Sequence, residues 1–263
     1  FISGELAAVA KDRNLEPDNL ESAARTFNPS GKYDEYIAFL GTGVSGRVAV
    51  VGMPSMRILK YVAVFSAEPW QGFAFDDQSK AVIKASARDE IEYSFGDSGV
   101  PGLSLTKGKH DARALFIADA ANARLALVDL AEYETKQIVT SPLFNTSNPD
   151  VTVTENTNFV VQTSSVQEKI GLGVTFWRFL EKESDDHKMY LIDPSTSYSI
   201  LLNSNRQSSA ATGKNSTAHF AFTITSGDQT ELNVINWKKA DELLATKATK
   251  LKNHLTFDAK IAS

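Results

Sequence analysis

The stretch Ala114–Thr140, ALFIADAANARLALVDLAEYETKQIVT, decides the predicted fold. It contains three strand-like runs, Ala114–Asp119, Arg124–Asp129 and Glu134–Thr140, and four residues separate each run from the next. Such short connections fit antiparallel strands, because parallel strands need a crossover of a dozen or more residues. The stretch therefore predicts a three-stranded β-meander.

The same pattern recurs along the chain without a fixed period. The other strand-like runs are Glu35–Leu40, Arg47–Val51, Ile58–Phe65, Asn158–Val161, Val174–Leu180, Tyr190–Leu202, His219–Thr225 and Glu231–Trp237. Repeated meanders without crossover helices are typical of propeller blades. The sequence predicts an all-β fold, a partial or irregular β-propeller of about four blade-like antiparallel units with short helices at the N- and C-terminal ends.

Two segments at the ends of the chain have helical spacing of apolar residues. They are Leu15–Phe27, which begins near a proline and acidic residues, and Trp237–Lys250, which is basic at its end. We predict one domain over residues 1–263, with a helical lead-in at 1–30, propeller-like units over 31–237 and a C-terminal helix and tail without a further blade at 238–263. A propeller closes with about four to eight blades, so four irregular units predict open flanks and strand edges that a protein partner or an oligomer covers.

Composition restricts the possible functions. The net charge is −5 without charge blocks, which argues against nucleic acid as a partner, and no apolar run is long enough to span a membrane. There is no cysteine, and the four histidines, His110, His187, His219 and His254, lack the close spacing of paired metal ligands. A histidine or thiolate metal cage is therefore not predicted.

Seven segments in chain order resemble one family, the nitrous-oxide reductases, in the N-terminal half of their propeller domain. The segments are Gly31–Tyr36, Val51–Arg57, Val64–Gly72, Ala121–Arg124, Glu134–Val139, Val174–Trp177 and Val234–Lys239. The resemblance implies a seven-bladed propeller that holds a tetranuclear copper-sulfide centre through histidines, followed by a cupredoxin domain with a binuclear copper site. The second half of that propeller and the cupredoxin domain have no counterpart in this chain.

The resemblance also implies which residues stand at the copper-ligand positions. Phe95–Pro101 resembles the place where the family has two adjacent histidines, and here Gly99 and Val100 stand there. The third ligand position falls near Asn148. Copper in such a site needs imidazole nitrogen or soft sulfur, so we expect no metal, no other cofactor and no catalytic residues.

Other candidate sites have simpler structural interpretations. Gly41–Gly46, GTGVSG, spells a dinucleotide-binding fingerprint, but a strand follows it where a helix is required, which predicts a hairpin turn. We predict that Asp76-Asp77 and Asp185-Asp186-His187 lie in solvated loops. His110 and Asp111 are predicted to form a charged turn, and His219 to lie in a strand. Ser45, Ser98 and Ser209 have no histidine nearby in sequence to act as a base, so a catalytic serine is not predicted.

Aromatic residues and two sequons complete the candidates. We predict that the aromatic residues Trp70, Phe73, Phe75, Phe176, Trp177, Phe179 and Trp237 pack in the core rather than form a ligand platform. Asn145-Thr146-Ser147 and Asn215-Ser216-Thr217 fit the N-glycosylation pattern, which matters only in a eukaryotic secretory pathway.

Three functions remain open from the sequence. The first is a non-catalytic structural or accessory subunit of a larger assembly, such as a membrane-bound respiratory or photosynthetic complex. The second is half of a split nitrous-oxide reductase whose other copper ligands come from another chain, and the third is a propeller that binds a small molecule or peptide. The resemblance implies a periplasmic or other extracytoplasmic location, and a chain that begins at Phe1 also fits a mitochondrial or plastid protein after removal of a transit peptide.

Overall fold

The computed structural model describes residues 3–85, 96–165, 172–183, 188–202, 206–226, 230–247, 249–251 and 254–258. The helices are α1 (Gly4–Asp12), α2 (Pro17–Thr26), α3 (Asp77–Ala85) and α4 (Trp237–Lys247). The strands are β1 (Tyr36–Gly41), β2 (Arg47–Met53), β3 (Arg57–Ala63), β4 (Gly102–Thr106), β5 (Lys109–Asp119), β6 (Arg124–Asp129), β7 (Glu134–Thr140), β8 (Thr152–Val153), β9 (Phe159–Thr163), β10 (Leu172–Glu183), β11 (Lys188–Leu202), β12 (Arg206–Thr212), β13 (Phe220–Ser226), β14 (Thr230–Asn236), β15 (Thr249–Leu251) and β16 (His254–Asp258).

The described strands form four sheets. The first sheet has the order β1-β2-β3, the second β4-β5-β6-β7, the third β15-β16-β11-β10-β9-β8 and the fourth β12-β13-β14. Neighbouring strands of the second and fourth sheets are antiparallel, and in the third sheet β11 and β16 are parallel. The predicted all-β fold with about four blade-like units is confirmed.

Several sequence predictions need correction at the level of single elements. A second helix, α1, forms within the predicted helical lead-in at residues 1–30, and α3, between the first two sheets, was not predicted. The C-terminal helix ends at Lys247 rather than Lys250, because β15 begins at Thr249. The tail contributes β16, which pairs with β11 and so extends the third sheet.

By its internal contacts, the chain divides into two compact units. Unit 1 comprises Phe1–Phe39 and Ala49–Tyr61, and unit 2 comprises Leu40–Val48 and Val62–Ser263.

Unit 1 contains two capped helices with little buried surface. Ser3 caps α1, where its side chain accepts a hydrogen bond from the Leu6 N–H, and Asn19 accepts one from the Glu16 N–H at the start of α2. Ala10 is the one buried residue of α1, and α2 has none. Capping and propensity therefore define these helices more than packing does.

Unit 2 contains the main aromatic core. Phe116 of β5 packs edge-to-face on Phe179 of β10 at 5.4 Å between ring centroids, and Phe159 packs in the same way on Phe176 at 5.9 Å. Edge-to-face pairs add to the hydrophobic gain of burying the rings. The Phe116–Phe179 pair thereby joins the second sheet to the third, and the Phe159–Phe176 pair lies within the third sheet.

Candidate functional site

The residues at the predicted ligand positions lie in two segments that lead into sheets. We call residues 96–101, before β4, the first entry segment, and residues 147–151, before β8, the second entry segment. Ser98 forms bridges to both Gly43 and Asp119, and Gly99 donates its N–H to the Ala118 carbonyl oxygen at 3.3 Å. The first entry segment thus lies between the end of β1, in the first sheet, and the end of β5, in the second sheet.

The second entry segment repeats this arrangement one sheet further along. The Ser147 N–H donates to the Ala120 carbonyl oxygen at 3.0 Å, just after β5. Ser147 also bridges to Ser164, and the Asn148 N–H donates to the Thr163 carbonyl oxygen at 2.9 Å. These contacts place Gly99 and Asn148 where successive sheets meet.

Gly99 has no room for a side chain. A Cβ atom there would overlap the carbonyl oxygen of Pro149, and a Cβ atom at Gly41 would overlap the Gly99 carbonyl oxygen. The two glycines therefore allow three backbone segments to approach each other closely. An imidazole at Gly99 is incompatible with this backbone, a constraint that sequence reasoning missed because it arises from tertiary contacts.

Val100 and Asn148 do not supply copper ligands either. Val100 is exposed and aliphatic. The Asn148 side-chain amide donates to Thr163 Oγ1 at 2.6 Å and to the Ser164 carbonyl oxygen at 3.2 Å, so it joins the second entry segment to the end of β9. Glycine, valine and a carboxamide do not fit copper, which prefers imidazole or sulfur.

The described part of the chain shows no other metal-ligand cluster. Within it, no group of three or more His, Cys, Asp or Glu side chains is placed to hold an ion. His110 lies on β5, not in the turn that we predicted, and His219 lies in the turn before β13, where its ring contacts Phe220, rather than within the strand. Asp185, Asp186 and His187 lie outside the described residues.

Asp119 organises a buried polar network beside the entry segments. Its carboxylate accepts hydrogen bonds from the N–H groups of Asp97 at 2.8 Å and Ala121 at 3.1 Å, and from Arg124 Nε at 2.6 Å. The Arg124 guanidinium also lies over the Phe65 ring, 4.8 Å from its centroid. Because these donors offset the cost of burying the carboxylate, the network fixes the strand end that contacts the first entry segment.

The network continues towards the third sheet. Gln162 Nε2 donates to the Arg124 carbonyl oxygen at 3.0 Å and to Ser147 Oγ at 3.1 Å. Gln162 Oε1 accepts a hydrogen bond from Trp177 Nε1 at 2.9 Å. Sequence reasoning missed this chain of contacts, since its members are far apart in sequence.

The glycine-rich stretch Gly41–Gly46 connects two antiparallel strands, as predicted. Gly43 and Gly46 have positive φ angles, and the Thr42 N–H donates to the Arg47 carbonyl oxygen at 3.1 Å. The Arg47 side chain lies 2.5 Å from a carboxylate oxygen of buried Glu68, in an ionic contact rather than a directed hydrogen bond. The turn therefore has a structural role.

Two of the three serine candidates, Ser45 and Ser98, have structural contacts. Ser98 Oγ accepts the Thr42 N–H at 3.1 Å and lies 3.0 Å from the Gly43 carbonyl oxygen and 3.1 Å from that of Arg47. Ser45 Oγ contacts Thr42 Oγ1. Ser209 is on β12, and its side chain lies outside the described part of the structure.

Asp111 belongs to a second polar cluster at the start of β5. Burial alone would raise its pKa, but hydrogen bonds from Arg113, Ser104 and Thr106 outweigh burial and hold the pKa well below its ordinary value. Arg113 Nη1 also donates to Glu181 Oε2 of β10 at 3.2 Å. The prediction of a turn was wrong here, since the cluster ties two strands from different sheets.

Asp76 and Asp77 lie at the start of α3 rather than in a loop. Asp76 accepts a hydrogen bond from the Ser79 N–H at 2.8 Å, which is an N-terminal capping contact, and hydrogen bonds from Ser79 hold its pKa below the ordinary value. Both aspartates are exposed. Their role is to begin the helix.

The aromatic predictions are mostly confirmed. Phe73, Phe176, Trp177 and Phe179 are buried and Trp237 is partly buried, but Phe75 is exposed and Trp70 is 91% exposed. Glu68, two residues before Trp70, makes an ionic contact with Arg47. No pattern in the sequence around Trp70 indicated that the tryptophan points outward. The acceptor residues of both sequons, Asn145 and Asn215, are exposed.

The sheets define the class of this protein: it is an all-β protein whose blade-like units form a partial, irregular β-propeller. Its particular similarity is to nitrous-oxide reductases. The enzyme of Pseudomonas fluorescens is 38% identical over 112 residues, 43% of this chain and 17% of that protein. The enzyme of Stutzerimonas stutzeri is 34% identical over 122 residues, 46% of this chain and 18% of that protein.

The chain therefore spans under a fifth of the length of these curated relatives in the matched region. No protein-family profile matches it. Among solved structures, the dihydro-heme d1 dehydrogenase NirN in complex with DHE is similar at 9% identity with a TM-score of 0.40, over 80% of this chain and 37% of that one. No helix within the described residues is both long and apolar enough to cross a membrane.

Proposed function

We propose that this chain is a non-catalytic, nitrous-oxide-reductase-like propeller fragment that serves as a structural or accessory subunit of a larger protein assembly. The proposal rests on which residues stand at the three predicted copper-ligand positions and on what they contact. Gly99 is closed by Pro149, Val100 is aliphatic, and the Asn148 amide is bound to Thr163 and Ser164. These three residues offer none of the imidazole or sulfur groups that copper prefers, which supports a non-catalytic role.

A second observation supports a protein partner. Large apolar side chains of the first sheet are exposed, namely Tyr36, Ile37 and Leu40 on β1 and Ile58, Leu59 and Tyr61 on β3. Several large exposed apolar side chains within one sheet are compatible with a protein interface. The accessory role assigns this surface to a partner.

The proposed location follows from the similarity. Nitrous-oxide reductases are exported proteins, so we place this chain in the periplasm or another extracytoplasmic space. A mitochondrial or plastid assembly is the alternative. Cell fractionation with an antibody against the chain separates these compartments.

Native purification tests the accessory role. Chain with an affinity tag is isolated from its own source in mild detergent, and the eluate is examined by mass spectrometry and assayed for nitrous-oxide reduction. We expect a defined set of partner subunits and no reductase activity above a tag-only control. A histidine-rich partner with reductase activity would instead establish a split enzyme, and a stable monomer without partners would contradict the accessory role.

A further inference from the structure

The second, third and fourth sheets pack face to face in chain order. The second and third sheets share one core cluster, in which Phe116 of β5 lies against Phe179 of β10. The third and fourth sheets share another core cluster, which contains Phe176 of β10, Ala221 of β13 and Ile235 of β14. The second and third sheets therefore each offer one apolar face to the sheet that follows.

The fourth sheet has one buried face and one exposed face. Ala221 and Ile235 are buried in the core that this sheet shares with the third. Because successive side chains of a strand point to opposite faces, their neighbours Phe222 and Val234 lie on the other side of the sheet. There Val234 is 51% exposed and Leu232 is 66% exposed. We call this side the outer face of the fourth sheet, and its described apolar residues are Ala211, Phe222, Ile224, Leu232 and Val234.

The outer face has the same kind of cross-strand pair as a covered face of the second sheet. In the second sheet Phe116 of β5 stands opposite Leu127 of β6, and both side chains are fully buried. Phe116 is also the ring that contacts Phe179 of the third sheet. In the fourth sheet Phe222 of β13 stands opposite Val234 of β14. The fourth sheet thus repeats a pair that receives the next sheet elsewhere in the chain.

The central rows of the outer face carry no charge. Ala211 pairs with Phe222, and Phe222 pairs with Val234, so one apolar row crosses all three strands. The next row pairs Ile224 with Leu232. A charged group buried against these rows would lose its hydration without gaining a partner, which is costly. The outer face therefore fits an uncharged, apolar counterpart.

We propose that the outer face of the fourth sheet is a docking surface for another β-sheet, which a partner polypeptide supplies. The inference rests on the accessory role proposed above and specifies where and how a partner binds. A sheet is the occupant because the two junctions within this chain, second on third and third on fourth, are both sheet-on-sheet, and the outer face continues that stack. Packed sheets lie about 10 Å apart with interdigitated side chains.

The junction between the third and fourth sheets indicates the size of the partner's side chains. There the third sheet contributes the large rings of Phe176 and Tyr198, and the fourth sheet contributes the small side chain of Ala221. Close packing of a large ring needs small residues opposite it. The outer face presents the large side chains of Phe222 and Leu232, so the partner's docking face carries small apolar residues opposite them.

Photo-crosslinking in the native assembly tests the docking surface. Leu232→benzoylphenylalanine places a photoreactive ring on the outer face of the full chain, and mass spectrometry maps the residues that the ring captures. We expect adducts on a different polypeptide at every second residue of a segment, because a strand directs alternate side chains to one face. Adducts spaced three or four residues apart would indicate a docked helix and would overturn the sheet as occupant.

The other outcomes of the crosslinking also decide between the proposals. Adducts within a second copy of this chain, or within the same polypeptide, would overturn docking by a partner. A defined assembly that gives no adduct from this position would overturn the docking surface and leave the accessory role standing. A native chain without partner subunits would contradict the accessory role and, with it, this inference.

Variants of β14 measure how much the outer face contributes to partner binding. Leu232→Gln with Val234→Gln removes apolar groups, whereas Leu232→Ile with Val234→Ile keeps them. We expect the glutamine pair to weaken retention of the partner in native purification at least about tenfold, and the isoleucine pair no more than about twofold. Val44→Gln, at an exposed valine outside the fourth sheet, is the matched control and should leave retention unchanged. Equal retention with the glutamine and isoleucine pairs would overturn the proposal.

Hydroxyl-radical footprinting keeps the test independent of how well the variants fold. It compares side-chain oxidation in the unmodified chain, isolated and in the native assembly. We expect oxidation of Leu232 to fall at least about fivefold in the assembly, because the core of an interface excludes water. Buried Ile235, on the opposite face of β14, should be little oxidised in both states. Unchanged oxidation of Leu232 with the partner present would overturn the docking surface.

Discussion

The first and second sheets share a sequence pattern but differ in how far their side chains are buried. Counting from Arg47 and Arg124, which begin β2 and β6, Leu40 on β1 corresponds to Ile117 on β5. Ile117 is 0% exposed, whereas Leu40 is 52% exposed. Thr135 on β7 is 5% exposed, and its counterpart Ile58 on β3 is 55% exposed. The sequence pattern thus specifies the strands, but burial depends on neighbours: the second sheet packs on the third through Phe116 and Phe179, whereas the side chains of Leu40 and Ile58 stay largely in solvent.

The largest expected effect comes from truncating the two counterparts. Ile117→Ala should lower the free energy of unfolding by about 3 kcal/mol, since it leaves a cavity in a closed core. Leu40→Ala should cost under about 1 kcal/mol, because its side chain is half in solvent. Urea unfolding of both variants measures the difference, and equal losses would mean that the first sheet is as closed as the second.

The contact between Gly41, Gly99 and Pro149 gives the next effect. Gly99→Ala should lower the free energy of unfolding by about 2 kcal/mol, because the added methyl group overlaps the Pro149 backbone. Gly4→Ala is the matched control, since nothing lies within 4 Å of a Cβ atom at Gly4, which begins α1. A Gly99→Ala protein as stable as Gly4→Ala would show that the site has room for a side chain.

The Asp111 cluster gives a smaller, pH-dependent effect. Since its folded-state pKa is depressed, Asp111 stabilises the fold above its unfolded-state pKa of about 3.9, and that stabilisation is lost as the pH falls below this value. Asp111→Asn should lower the free energy of unfolding by about 1 kcal/mol at pH 7 and by less below pH 4. Exposed Asp12→Asn serves as the control, and a pH-independent loss in Asp111→Asn would contradict the assignment.

Much of the fold could be predicted from the sequence. The boundaries of β6 and β7 were predicted to the residue, because each run is bounded by turn residues and carries its own pattern. The short strands β4 and β8 were missed, since five and two residues give too little periodicity.

The candidate site was predictable only in part. The identities of Gly99, Val100 and Asn148 came from the resemblance, and composition alone removed cysteine ligands. The overlap that closes Gly99 and the Asp119 network depend on contacts between distant segments, and the exposure of Trp70 depends on the course of its turn. No local pattern encodes such contacts.

Copper content of the native chain tests the central claim most directly. The chain is purified without chelators from cells grown with copper, and metal per chain is measured by elemental analysis beside a nitrous-oxide reductase prepared in the same way. The account predicts copper at the background level of a metal-free control protein, together with defined partner subunits. Copper near stoichiometric amounts on this chain would contradict it, because Gly99, Val100 and Asn148 could not be the residues that hold the metal.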